Sequence, residues 1–497
     1  MTILSYIIIG IYLLALGYIT IYCLLQFHLL IHYKSHKRAT KNSKDKKPEL
    51  NGQVPFVTVQ LPMFNEYFVV ERLIDNICNF DYPKDRFEIH VIDDSTDETL
   101  DLSRKKVAEY KQKGFKIELI QRDNRIGYKA GALKEATKKA KGEFIAIFDA
   151  DFLPDPSFLK NTIPYFQNEK VGVVQTRWGH INQNYSLITE LQAFQLNVHF
   201  TVEQLGREVA DYLLQFNGTA GVWRKETIDD SGGWQADTLT EDLDLSYRAQ
   251  LQGWKIVYLE DITSPAELPA EMNGLKSQQF RWMKGGAETA KKLLPKVWSS
   301  ELAFTKKIHA STHLLGSSIF LFVFIMGVFS VPLLYVVNPL SIDTKYLSIF
   351  LVSLLSVASV YYVANVETAW NQDNKLTSII KFIFLFPVFL ALSMGLSLHN
   401  SLAVLQGYSG KKSSFVRTPK FNIKGIKDNF KKTKYTSKKL SKVTITEGLL
   451  ALYFLFAIGL GIKLEDNSML LFHILLFFGY GTIFFYSVKH LNYHGEK

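Results

Sequence analysis

The chain has 497 residues, 47% of them hydrophobic, and a formal charge of +10, which leaves room for two or three domains. The positive excess lies mainly at 34–47 and 411–442, both beside apolar runs; it therefore reads as membrane topology and headgroup contact, with no nucleic-acid partner. Cys23 and Cys78 are too few for a disulfide framework or a thiolate metal site.

Residues 3–30 form the first nearly uncharged run. It is too long for a signal-peptide core and has neither a basic leader nor a small-residue cleavage site, so 1–32 is expected to remain as a transmembrane anchor. "HYKSHKRATKNSKDKK" follows. The positive-inside rule then puts the N-terminus outside and the long polar section, 50–300, in the cytoplasm, at the inner membrane if the cell is bacterial.

From residue 54, short β-branched runs ("FVTVQLP", "FEIHVIDD", "KIELIQ", "EFIAIFDAD", "VGVVQTRW") alternate with stretches of helical period over 66–80, 98–113 and 130–141. Such alternation predicts an α/β domain with a mostly parallel sheet covered on both faces. Ligands of these sheets sit at the carboxyl ends of the strands. No G-x-G-x-x-G or P-loop follows the first strand, which argues against a dinucleotide fold or a P-loop ATPase.

Acidic clusters fall at those ends: Glu66 in "LPMFNE", Asp93-Asp94 in "VIDDSTDET", Asp149 and Asp151 in "FDADF", and Glu241-Asp242 in "LTEDLDLS". Any one of them could cap the next helix. Two carboxylates one residue apart behind a buried strand are costly without a cation, so Asp149 and Asp151 suggest Mg2+ or Mn2+ bridging a diphosphate.

Taken in order, "IDDSTDET", "GYKAGAL", "FDADF", "VQTRW", "FNGTAGVWR", "LTEDLDLSYRAQLQGWK" and "QQFRW" resemble the processive family 2 glycosyltransferases of the GT-A fold, in the cellulose synthase-like superfamily. The likeness is greatest to the plant mannan and xyloglucan-backbone synthases and their bacterial relatives. It runs continuously over 54–300 and more loosely through the membrane section.

The resemblance implies a nucleotide-diphospho-sugar transferase domain inserted between transmembrane helices. Its activity would be inverting transfer of a hexose, from UDP-glucose or GDP-mannose, to a growing β-linked polysaccharide that is then translocated. Asp242 would be the catalytic base, drawing the proton from the acceptor hydroxyl. Asp151 would hold the metal, with Asp149 as a second ligand. Pro62, Asn65, Glu66, Asp94, Lys129, Asp149, Gln278 and Arg281 would bind the nucleotide sugar, and Phe216, Asn217, Gly218, Thr219, Glu241 and Trp282 the acceptor. Phe152 stands where several bacterial cellulose synthases have a metal-holding histidine, which shifts the subfamily and not the activity. A single-transfer membrane-lipid glucosyltransferase, acting on ceramide or diacylglycerol, is the alternative. Accessory export or regulatory proteins are candidate partners.

In the membrane section, 301–497, spans are expected near 310–338, 345–364, 446–463 and 468–488. If the apolar run at 379–404 crossed as well, residues 407–442, with twelve basic residues against one acid, would lie outside, against the positive-inside rule. That run also carries Pro387 and a polar second half, so an interface helix over 377–406 is expected. "SFVRTPKF" in the basic loop 408–443 resembles the family's closing loop, giving Phe415, Thr418 and Lys420 as gating residues, with Arg417 where the pattern expects valine.

Overall fold

The computed structural model describes residues 2–41, 48–50, 52–337, 349–368, 374–413, 416–423, 425, 428 and 440–491. β1 (Val57–Met63), β2 (Phe87–Asp93), β3 (Ile117–Ile120), β4 (Phe144–Ile147) and β5 (Val171–His180) form where the β-branched runs predict them. Helices Val70–Ile77, Thr99–Gln112 and Tyr128–Lys139 lie between them.

Two further strands, β6 (Gly221–Arg224) and β7 (Lys255–Ala266), complete a seven-stranded sheet of order β3-β2-β1-β4-β6-β5-β7. β6 runs antiparallel to both its neighbours, so the sheet is mixed. Alternate residues of β1 and β2, among them Val57, Val59, Leu61, Ile89 and Val91, enter one apolar core with the helix Val70–Ile77. The opposite face packs Ile145, Ile147, Val173 and Trp223 against Ala132, Leu133 and Ala136 of the helix Tyr128–Lys139. Covering both faces is what makes these strands nearly continuous apolar runs.

Five helices among the described residues are long and apolar enough to cross a membrane: Ile3–Thr40, Gly316–Val336, Lys375–Gly395, Lys442–Lys463 and Leu470–Leu491. Leu351–Val366, in the stretch expected as a span over 345–364, is apolar but shorter. Where one interface helix is expected over 377–406, there are two, Lys375–Gly395 and Ser397–Ser409, which meet at Leu396. Each of the two packs closely on a neighbour. A Cβ on Gly395 would sit 2.4 Å from the backbone of Gly479, and one on Gly407 2.6 Å from the carbonyl of Lys284. The first helix is thus pressed against Leu470–Leu491, and the second against the long helix Met272–Ser299.

Candidate active site

The carboxyl ends of β1, β2 and β4 meet at one edge of the sheet. Antiparallel β6 pairs Gly221 with Ile147 of β4, so the segment entering β6, 217–220, arrives at that same edge. Of the two aspartates after β2, Asp93 is fully buried and accepts hydrogen bonds from Ser95 N (2.8 Å) and Ser103 Oγ; it fixes the turn. Asp94 is held by Arg122 through two N–H groups, and Arg122 also donates to the carbonyls of Ile126 (2.9 Å) and Tyr128 (3.0 Å). That bracing sets the start of the helix Tyr128–Lys139.

Lys129, in that helix's first turn, donates to Asp149 and to the carbonyl of Gly218 (2.9 Å). Burial alone would lower its pKa; Asp149 and Glu241 outweigh it and the net shift is upward. Thr219 Oγ1 accepts from the backbone N–H of Asp149 at 2.8 Å. One lysine and one threonine therefore tie the carboxylate pair to the segment before β6.

Asp242 is the second residue of the helix Glu241–Leu251 and accepts from Leu243 N at 2.9 Å. Gly218 has φ +77, and a Cβ there would stand 2.9 Å from Asp242 Oδ2. Glycine meets both demands, the left-handed backbone and the approach of the carboxylate. Burial, then the charge of Glu241, raises the pKa of Asp242. A carboxylate poised above its ordinary range suits proton abstraction near neutral pH.

The helix Met272–Ser299 braces the segment that carries Asp242. Thr289 Oγ1 lies 3.0 Å from Thr240 Oγ1, Glu288 accepts from Leu239 N (2.9 Å), and Lys292 pairs with Asp244 (2.9 Å). The same helix grips the basic loop. Lys284 donates to the carbonyl of Lys411 and to Ser413 Oγ (2.6 Å), while Arg281 donates to the carbonyl of Val416 and to Thr418 Oγ1 (2.9 Å). Lys276 makes a buried pair with Glu447 at 2.7 Å.

Held in this way, the loop sets two cations on the acidic cluster. Lys420 donates to Asp151 Oδ2 (2.7 Å), and Arg417 pairs with Glu66 (3.0 Å). Glu267 accepts from Phe421 N (2.8 Å), and Arg72 donates to Asn422 (2.6 Å). Burial drives Glu66 up to about 8 even though Arg417 opposes the shift. Burial also brings Arg281 down to about 10, with Asp149, Glu241 and Glu66 resisting.

A cavity of about 1040 Å³ joins these groups. Pro62, Glu66, Asp94, Lys129, Asp149, Asp151, Asn217, Gly218, Glu241, Asp242, Gln278, Arg281, Trp282, Thr418 and Lys420 line it. It continues among membrane helices to Tyr12, Met326 and Phe472. Three other candidates stand behind its wall. Asn65 accepts from Thr96 N (2.8 Å), Phe216 packs on Trp223, and Thr219 supports Asp149. Phe415 lies outside the described residues. Arg122, Arg417, Glu267 and His199 belong to the site and carry no local motif of their own; the misfit of Arg417 in the closing-loop pattern was the one signal present.

Residues 55–285 match the family described as "Glycosyltransferase like family 2". The chain carries a family 2 glycosyltransferase domain. This domain is built on the mixed α/β sheet described above, with apolar helices on both sides of it in the sequence, and the chain is a membrane protein. It is 43% identical over 272 residues to a glucomannan 4-beta-mannosyltransferase 1 of Oryza sativa subsp. japonica, covering 53% of this chain and 52% of the relative. Identity to a glucomannan 4-beta-mannosyltransferase 7 of Arabidopsis thaliana is 42% over 256 residues, covering 50% and 46%. The chain thus spans about half the length of the curated relatives it matches. Among solved structures, the mannosyltransferase PcManGT from Pyrobaculum calidifontis, in complex with GDP-Man and Mn2+, aligns with 72% of this chain and 100% of its own at 20% identity, TM-score 0.47. That likeness is too loose to bear on chemistry.

Proposed function

We propose that the protein is an inverting hexosyltransferase that extends a β-linked polysaccharide from a nucleotide-sugar donor, with its catalytic domain in the cytoplasm. Its main support is a single observation: Asp242, Gly218 and Trp282 share one cavity with the Asp149/Asp151 pair, and that cavity continues among apolar helices. The plant relatives, mannosyltransferases by name, favour mannose as the transferred sugar and GDP-mannose over UDP-glucose as the donor.

Asp242 would take the proton of the acceptor hydroxyl as it attacks the anomeric carbon. Arg281 and Lys129 would face the departing diphosphate, whose growing charge fixed cations stabilise. Trp282 would offer its ring face to the sugar entering the channel. Asp94 and Pro62 would border the nucleoside.

The acidic residues suit a hard divalent cation of the Mg2+ or Mn2+ kind. Burial and then the charges of Asp151 and Asp149 raise the pKa of Glu66, and Lys420 and Arg417 pair with Asp151 and Glu66, so the cluster is one that calls for positive charge. Among the described residues, no group of three or more His, Cys, Asp or Glu is arranged to hold a metal. Asp151, with Asp149, would hold the ion, which would draw its other ligands from phosphate and water. Bound there, it supplies charge neutralisation to the diphosphate.

Incubating membranes with a panel of nucleotide sugars and divalent ions, then sizing the product, tests this function. A polymer of one sugar is expected. A small product that extracts into lipid solvent would instead establish the lipid-glucosyltransferase alternative.

A further inference from the structure

After the helix Leu187–Val198 the chain winds as a π-helix over His199–Glu203 before resuming as Gln204–Val209. Such wide turns are rare and collect at functional sites, where they re-aim side chains. This one aims His199 and Glu203 into the cavity. His199 Nε2 is 2.7 Å from Asn217 Oδ1, and Nδ1 is 2.9 Å from Glu203 Oε2. The ring thus bridges Glu203 and Asn217, and it fixes how the Asn217 amide faces the acceptor floor.

Arg207, one turn further on, is 3% exposed. Its Nη1 lies 3.6 Å from Glu203, yet neither Nε nor Nη1 makes a hydrogen bond. Gln26 of the first helix, 6% exposed, likewise leaves Oε1 without a partner. Both line the cavity. Buried polar atoms left unpaired are costly, so their presence points to a ligand that pairs them. The set mixes donors with acceptors and balances a carboxylate against a guanidinium, which fits a neutral polyhydroxylated ligand better than an anion.

We propose that Gln26, Glu203, Arg207 and His199 form a second carbohydrate subsite, holding the penultimate ring of the acceptor while His199 positions Asn217 beside the ring that reacts. Contacts run from Asp242 through Gly218 and Asn217 to His199 and Glu203, which places the subsite next along the acceptor from the base. The inference rests on the sugar-transfer function proposed above and assigns that site its second ring.

The experiment compares a monosaccharide and a β-linked disaccharide of the transferred sugar as acceptors for the purified full-length protein. Wild type should show a KM at least tenfold lower for the disaccharide. In Glu203→Gln and Arg207→Met that advantage should fall below twofold. His199→Gln, which keeps a hydrogen bond to Asn217, should retain more of it than His199→Ala. An advantage left at the wild-type ratio while kcat drops would mean a structural role only and would overturn the proposal. So would a wild type indifferent to the second ring, a result that stands even if the variants fail to fold. A wild type that releases sugar from no nucleotide sugar would instead remove the transferase function itself.

Discussion

Asp242 illustrates how far one residue can be read from sequence. Its position in "LTEDLDLS" and the resemblance marked it as the base; its raised pKa comes from burial and from Glu241, which no local motif displays. Because the pKa is raised, the group stays protonated to higher pH than a free aspartate, and activity that needs the ionised form is lost as pH falls through that raised value. kcat/KM should therefore show an acid limb well above the usual aspartate range near pH 4. A limb at ordinary carboxylate pH would place the base elsewhere. Asp242→Asn should lower kcat by about 10²–10⁴-fold while nucleotide binding, followed by calorimetry, persists. Lys420→Ala removes the cation paired with Asp151. Half-maximal divalent-ion concentration should then fall about fivefold, on the order of 1 kcal/mol; an unchanged metal titration would show that the lysine does not compete. Arg122 escaped the sequence reading, and Arg417 showed only as a misfit in the loop pattern, because lysines and arginines are common on every surface and only the fold shows which of them meet a carboxylate.

At the scale of elements, β1 to β5 were legible because each is a short β-branched run that ends on a turn. β6 has four residues, too few to display a period, and β7 carries Glu260 and Asp261 in its middle; both owe their place to pairing with distant strands. The antiparallel direction of β6 is the consequential miss, since it delivers Asn217 and Gly218 to the carboxylate edge. The helix Met272–Ser299 joins the Asp242 turn, the loop and the membrane section. A Cβ on Gly285 would come within 2.6 Å of Thr240 Cγ2 and 2.9 Å of its nitrogen, so Gly285→Val should push the "TED" turn off the helix. A displacement near 1 Å can cost about 10²-fold in rate; kcat should fall in that measure with donor KM little changed, and a variant of normal kcat would refute the bracing role. Trp282→Ala on the same helix should shorten the product more than it weakens donor binding, as read by gel filtration of the polymer.

For the whole molecule, the proposed arrangement keeps the catalytic domain and the basic loop on one side of the bilayer. A cysteine placed at position 425 should react with a membrane-impermeant thiol reagent from the cytoplasmic side alone; Cys23 and Cys78 are buried, which keeps the background low. Labelling from outside would break the arrangement. The loop's grip on the acidic edge also bears on kinetics. Under the proposed function, Arg417 and Lys420 sit on the carboxylates that an incoming metal and diphosphate would need, and donor entry becomes an exchange of one set of positive charges for another. Raising the donor concentration then speeds capture only until release of the loop becomes the slow step. In stopped-flow, the observed rate should level off at a ceiling set by the protein, and Lys420→Ala should lift that ceiling.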